Sequence, residues 1–308
     1  MRSRNWEGPA FLLAAFFLAG TSVVAVRFIE GYLGAFTITA ISLLLAAVFL
    51  LPLCLRSLLV FIQRLSPKIL LLVVLQALFG IFLFRLCLFQ GLMLTSTAEA
   101  GVMTGASPAI TALLGILLLK ERPNRAMVAG ILSTVAGVLL IQGLGAGGLS
   151  LSLGHLAGNL LVLCAAACES IFNILVKMIH QSKKDEAIHP MAHTTAVVLC
   201  ALVLCILPAM LERPFGQFAA LGSVQWLALI WYGVFVTAFA FVFMFAGAKR
   251  SGAFAVAACS GMMPFAAMLL SLLLLHEAVA WQQWLGGVFV ALGMVVIGSG
   301  KSAIAQNT

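Results

Sequence analysis

The sequence predicts an all-α polytopic membrane protein: ten transmembrane helices arranged as two inverted five-helix repeats. Three observations carry that prediction: an apolar composition, a run of spanning-length segments and an internal repeat. The 308 residues are 63% hydrophobic and 8% charged, whereas a soluble domain carries about 25% charged residues. Too little polar side chain is present to cover a water-facing surface, so a chain that spans a bilayer is expected. The net charge of +8 does not argue for nucleic acid, because the basic residues sit in short loops between apolar runs.

A spanning helix needs about 20 mostly apolar residues. Ten runs meet that length, near 10–29, 35–55, 69–92, 97–119, 126–144, 156–179, 191–211, 224–246, 253–275 and 281–299. The first follows Arg2 and Arg4 and reads as a retained helix, since no small-residue cleavage pattern comes after it. The second, GAFTITAISLLLAA onward, has no charge until Arg56. Residues 55–68, LRSLLVFIQRLSPK, are too charged to span and read as an amphipathic connection along the interface. The third run holds Gln76, Arg85 and Gln90. The fourth and ninth each contain a proline, Pro108 and Pro264, and the fifth and tenth are glycine-rich. The sixth carries Glu169, and the polar loop QSKKDEAIHP then leads into the seventh. Helices are required throughout, because lipid cannot satisfy backbone polar groups.

With a cytoplasmic N-terminus, the inner loops hold Arg2, Arg4, Arg56, Arg64, Lys68, Lys120, Arg122, Arg125, Lys177, Lys183, Lys184, Lys249, Arg250 and Lys301. Arg27 and Arg213 fall outside and Arg85 falls within a span. That bias predicts a multi-pass protein of the cell (inner, cytoplasmic) membrane with both termini cytoplasmic. Trp6, Trp281 and Trp284 read as interfacial anchors.

The repeat appears on a shift of 156 residues (264 − 108 = 156). Pro108 meets Pro264, Glu121 meets Glu277, Gly91 meets Gly247, Gly105 meets Gly261, Gly130 meets Gly286, and Gly137 meets Gly293. One ungapped offset implies two copies of one unit, 1–148 and 149–308. Five spans per copy is odd, so the second copy enters the membrane upside down. Loop charges agree: KERPNR follows the first proline phrase and HEAVAW the second, while MLTST precedes the first and AKRSG the second. Inverted repeats of this kind belong to secondary transporters, whose halves rock around a central site.

The stretches GASPAITALLGILLLKERPNRAMVAGILSTVAGVLLI and SGMMPFAAMLLSLLLLHEAVAWQQWLGGVFVALGMVVIG resemble EamA-type carriers of the drug/metabolite transporter superfamily. The resemblance covers residues 10–299. It implies export of small organic metabolites, including amino acids, without an ATP-binding motif, and no GxxxxGK[ST] occurs here. Family members often carry an arginine in the second helix; GAFTITAISLLLAA has none.

Candidate residues follow from cost. Glu169 lies about 20 Å into the sixth span at 1.5 Å per residue, near mid-membrane, where an ionisable group is expensive and marks function. Asn173 and Lys177 continue its stripe at i+4 and i+8. A carboxyl removed from water holds its proton more tightly, which suits a proton carrier; the alternative is a static partner for Arg85 or Lys177. Arg85 can grip a carboxylate by two parallel hydrogen bonds or snorkel to headgroups. Glu99 is expected to pair with Arg85 or to be solvated. Ser107, Pro108, Met263 and Pro264 mark helix kinks expected to line a cavity; simple packing kinks are the alternative. Met262, Met263, Phe265 and Met268 offer an adaptable apolar wall or plain packing. Glu121 and Glu277 are expected to be structural, each capping the first turn of the next helix.

Arg85 with Glu169 would suit a zwitterion, an amino acid or related amino-carboxylate. The expected protein is thus a carrier working by alternating access, with proton coupling and a homodimer both compatible with the sequence. The expected partners are a small-molecule substrate and the bilayer, with no nucleic acid, cofactor, metal or catalytic residue. Broad efflux of lipophilic drugs is the alternative, and an integral membrane enzyme or channel ranks below it. No HExxH or GxSxG is present. The seven cysteines lie in apolar runs without CxxC spacing and read as packing residues.

Overall fold

Apolar side chains on every face of a helix suit a segment that meets lipid on one side and other helices on the other. A computed structural model describes residues 7–63, 65–118, 124–141, 153–180, 190–250, 259 and 262–299. The helices are α1 (Glu7–Arg27), α2 (Ala35–Gln63), α3 (Pro67–Leu92), α4 (Thr97–Thr104), α5 (Ser107–Leu118), α6 (Arg125–Ile141), α7 (Leu153–His180), α8 (Pro190–Leu211), α9 (223–250), α10 (Met262–Leu274) and α11 (Trp281–Ser299). A short turn of helix, Pro214–Gln217, lies between α8 and α9. Among the described residues seven helical segments are long and apolar enough to cross a membrane, and α6, α10 and α11 are shorter apolar helices.

Two features depart from the expected elements. Residues 55–63 do not lie apart as an interfacial connection. They continue α2 as one helix past Pro52, because Leu58 and Phe61 are buried in the cluster that joins α2 to Val73 of α3 and to Ala192 and Val198 of α8. The fourth span is also two helices, with Gly105 and Ala106 forming a turn immediately before Ser107. The break therefore precedes Pro108. Proline lacks an N–H to continue the ladder, so it sits best in the first turn of a helix.

The α3 and α9 helices each contain a π-helical stretch, Leu78–Leu83 and Trp231–Phe239. The 156-residue shift carries 78–83 onto 234–239, inside the second stretch. Such widened turns commonly occur at functional sites.

Packing repeats between the two parts of the chain. The α6 helix lies against α11 and α2 against α8; α1 packs on α9 much as α7 packs on α3. At the α6–α11 crossing, a Cβ added at Gly130 would come within 2.7 Å of the Gly293 carbonyl oxygen, and one at Gly137 within 2.6 Å of that of Gly286. Only glycine lets these backbones approach so closely, as expected of helices that associate in lipid through small residues. Ser133 Oγ donates to the carbonyl of Phe289 at 2.7 Å, bridging two residues 156 apart. One apolar core runs through Val23, Val26, Leu88, Leu92, Val102, Met103 and Met268 near the Arg27 end of the bundle. A second fills the α2–α3–α8 seam.

Candidate functional site

Residues of α1, α3, α7, α9 and α10 line a cavity of about 150 Å³. It is lined by Arg85, Glu169, Asn173 and Met263 together with Tyr232 and the aromatic rings of Phe16, Phe84, Phe172 and Phe241. Both widened stretches reach it, through Gly80 and Ile81 on α3 and Tyr232 and Val236 on α9. Four residues picked out from the sequence thus share one space, although they come from three separate helices.

Arg85 does not snorkel. It is 6% exposed and its guanidinium lies 4.5 Å from the centroid of the Tyr232 ring. Nη1 donates to Ser42 Oγ at 2.5 Å and Nη2 to Thr237 Oγ1 at 2.7 Å. Ser42 and Thr237 in turn donate to the backbone carbonyls of Thr39 and Tyr232. The stretch GAFTITAISLLLAA of the second helix, which has no arginine of its own, therefore receives one from α3 through Ser42. Among the described residues no carboxylate lies within ion-pair distance of Arg85. The ring face and hydroxyls hold the cation without neutralising it.

Glu169 likewise makes no ion pair among the described residues. It accepts a hydrogen bond from the Ser107 hydroxyl, while its Oε2 is buried with no hydrogen-bond partner. Ser170 Oγ bonds the Ser107 carbonyl at 2.9 Å. Ser107 is thus buried at the start of α5 and ties the broken fourth span to α7, outside the cavity lining. Pro264 is buried in α10, and Met263 beside it lines the cavity. Glu121 and the side chains of Pro108 and Lys177 lie outside the described residues.

Glu99 neither pairs with Arg85 nor sits in solvent. It is buried at the Arg27 end, with Oε2 2.7 Å from His155 Nε2 and 3.0 Å from Thr95 Oγ1. Gln283 Nε2 donates to its Oε1 at 3.0 Å. The reason is position: Glu99 lies in the first turn of α4, where α7 and α11 meet it. Glu277 also differs from its expected partner. It accepts from Thr97 N at 3.1 Å and Thr97 Oγ1 at 2.9 Å, capping α4 instead of the following α11. The start of α11 is closed locally: Ala280 N donates to Gln283 Oε1, and Gln283 N and Trp284 N donate to the Ala280 carbonyl. Arg27 completes this polar end, donating to the carbonyls of Leu92 and Thr95 at 2.6 and 2.7 Å and pairing with Glu30.

Sequence reasoning missed Ser42, Thr237, Tyr232 and the phenylalanine walls. Hydroxyls and rings are common in spanning helices, and only their convergence on Arg85 distinguishes these. It also missed Glu212, whose carboxylate accepts from Phe36 N, Thr37 N and Thr37 Oγ1 and so caps α2.

A family model for the EamA-like transporter family matches the chain twice, over residues 6–143 and 156–299. The chain belongs to the EamA-like transporter family. Among its EamA-like relatives is an uncharacterised transporter of Bacillus subtilis (strain 168), YetK, 27% identical over 287 residues, or 92% of this chain and 84% of that one. Another is the aromatic amino acid exporter YddG of Ancylobacter novellus, 28% identical over 225 residues, or 73% of each chain. A solved crystal structure superposes with a TM-score of 0.68 at 21% identity, covering 94% of this chain and 95% of that one; it speaks to the fold alone. The EamA-like chain is a multi-pass membrane protein of a transporter family, and its central cavity is the candidate substrate site.

Proposed function

We propose that this protein is a secondary-active carrier that exports small zwitterionic metabolites, amino acids or related amino-carboxylates, by alternating access. The carrying observation is the pair of unmatched charges in one cavity. Among the described residues Arg85 is a buried guanidinium without a carboxylate partner, and Glu169 is a carboxyl with a buried oxygen left unbonded. A zwitterion supplies both missing partners: its carboxylate to Arg85 and its ammonium to Glu169 and Asn173. Leaving such groups unpaired is costly, so a ligand that matches them binds with a large gain. The aromatic lining suits an apolar or aromatic side chain, and a relative named as an aromatic amino acid exporter supports that choice.

In this reading the chain crosses the cytoplasmic membrane ten times as two inverted repeats, 1–148 and 149–308, with both termini inside. The twofold family match, the crossing of Gly130 on Gly293 and of Gly137 on Gly286, and the loop charges support it. The Arg27–Glu99–Glu277 end then lies outside, and its cross-links hold the outer side shut while the cavity is reached from within. Glu169 is the proton-coupling group, released from or returned to Ser107 as its charge changes. The phenylalanine and methionine walls favour lipophilic drugs as the second reading.

Counterflow in proteoliposomes tests the proposal, using a panel of amino acids under an imposed pH gradient. Saturable counterflow of a zwitterion is expected, lost in Arg85→Ala and made insensitive to the gradient in Glu169→Gln. Folded protein that moves lipophilic cations but no zwitterion would transfer the assignment to drug efflux.

A further inference from the structure

We propose that the π-helical turn of α9 orients the Arg85 guanidinium for a substrate carboxylate, with Thr237 as the positioning residue and Gly233 as the clearance that lets α2 take part. The inference rests on the zwitterion reading above and adds how its anion grip is aimed.

A guanidinium is a planar fork, and it grips a carboxylate through two parallel bonds only when the edge of that plane meets the ligand. On a long side chain the plane is free to turn. Here three contacts fix it. The Tyr232 ring, its centroid 4.5 Å from the guanidinium carbon, limits the tilt. Ser42 Oγ and Thr237 Oγ1 each hold one Nη atom, which stops rotation within the plane. These bonds take one hydrogen from each Nη, and a guanidinium has further N–H donors for a ligand.

Two of the three contacts come from one turn of α9, because Tyr232 and Thr237 lie five residues apart. In an α-helix at 3.6 residues per turn, a residue five on points about 140° away from the first. The Trp231–Phe239 stretch is π-helical. A turn closed by i→i+5 bonds brings the residue five on back to the same side, as an α-helix does for the residue four on. Ring and hydroxyl therefore reach the same guanidinium. Thr237 Oγ1 also donates to the Tyr232 carbonyl at 2.8 Å. Its proton thus serves the turn while its lone pair serves Arg85.

The third contact depends on the same turn. A Cβ added at Gly233 would lie 2.7 Å from the Ser42 carbonyl oxygen and 2.8 Å from Leu45 Cβ. The missing side chain lets the π-helical turn press directly on α2, at the residue that holds Nη1. Comparison with α3 separates the two uses of the Thr237 hydroxyl. The 156-residue shift carries Ile81 onto Thr237, and Ile81 lies in the π-helical stretch of α3. That stretch is π-helical without a hydroxyl at this place. The turn therefore forms without one, and the hydroxyl of Thr237 serves the cation.

The experiment is equilibrium binding of L-phenylalanine, L-tryptophan and L-leucine to the purified full-length protein and its Thr237→Val, Thr237→Ser and Gly233→Ala variants, with thermal midpoints measured alongside. Thr237→Val keeps the shape and removes the hydroxyl. It is expected to weaken the tightest of the three ligands by about tenfold or more, with little change of midpoint. Thr237→Ser keeps the hydroxyl and loses a methyl, and its affinity should stay within about threefold of the wild type. A role in packing alone predicts the opposite order, with valine close to the wild type and serine weaker. Gly233→Ala should weaken binding where it folds, and the Thr237 pair decides where it does not. Unchanged or tighter binding by folded Thr237→Val, or an equal loss in Thr237→Ser, overturns the positioning role and leaves the zwitterion carrier standing. Failure of Thr237→Val to fold overturns it too, because the hydroxyl is then structural. No binding of any of the three by the wild type removes the zwitterion reading and this inference with it.

Discussion

Arg85 is kept from water by an aromatic face and two hydroxyls that already have backbone partners. Its removal leaves no donor unsatisfied, because Ser42 and Thr237 go on donating to carbonyls in their own helices. A buried charge without its counter-ion is seldom a source of stability. Arg85→Met, similar in length and apolar, is therefore expected to fold with an unchanged or higher thermal midpoint in detergent while losing amino-acid counterflow. A large fall in the midpoint would mean the guanidinium is structural. Arg85→Lys retains the charge but not the planar fork, and hydrogen bonds to charged groups contribute about 1.5–3 kcal/mol. Binding of the zwitterion should weaken in Arg85→Lys by roughly tenfold to a hundredfold, at 1.4 kcal/mol per decade; titration of the purified variant measures this. Both charged residues were legible in the sequence, because a charge inside a long apolar run is rare. Their surroundings were not, since serine, threonine and phenylalanine recur in every span.

Helix ends are where this chain spends its carboxylates. Glu212 caps α2 from the end of α8, and Glu277 caps α4 from the loop after α10. Each joins a helix N-terminus to a distant segment, combining a cap with a favourable interaction with the helix dipole. Glu212→Ala should cost about 1–2 kcal/mol, the upper range for a lost cap, read as a lower thermal midpoint with transport otherwise retained. An unchanged midpoint would show that water replaces the carboxylate. The Pro–apolar run–Glu phrase was visible from the sequence, and with it the structural role expected of Glu277. Its partner helix was not, because capping depends on which N-terminus arrives at the carboxylate, and six helices, α3 to α8, separate Glu212 from α2 along the chain. The π-helical stretches in α3 and α9 were equally hidden. An inserted residue in a helix leaves no mark when the sequence on both sides is uniformly apolar.

The chain as a whole is joined across its two parts by close backbone contacts. At the α6–α11 crossing the obstacles to a side chain at Gly137 are the backbone oxygen of Gly286 and the backbone nitrogen and side chain of Val290. Gly137→Ala should therefore destabilise the fold by about 1–3 kcal/mol, the usual cost of overpacking, seen in the thermal midpoint or in the fraction of monodisperse protein. Full stability in that variant would show that the two helices separate at little cost. Topology has its own test at this scale. A fluorescent protein fused at the C-terminus should be fluorescent, and a phosphatase that works only outside the cytoplasm should be inactive there; the reverse pair would invert the proposed orientation. Loop charge is the basis for that expectation, because translocation responds to lysine and arginine near the ends of spans.

By itself the sequence determined that this chain is a bundle of apolar helices, that one phrase recurs after 156 residues, and that Arg85 and Glu169 are its costly interior charges. Those properties reside in composition, in spacing and in single exceptional residues, all of which survive as a linear string. Only the tertiary structure decided that Arg85, Glu169, Asn173 and Met263 face one cavity, and that Glu99 turns to His155 and Gln283. The physical reason is the solvent. In water a helix declares its inner face by being polar on the other, whereas lipid and protein interior are alike apolar, so the rotation of each helix about its axis is set by packing with its neighbours.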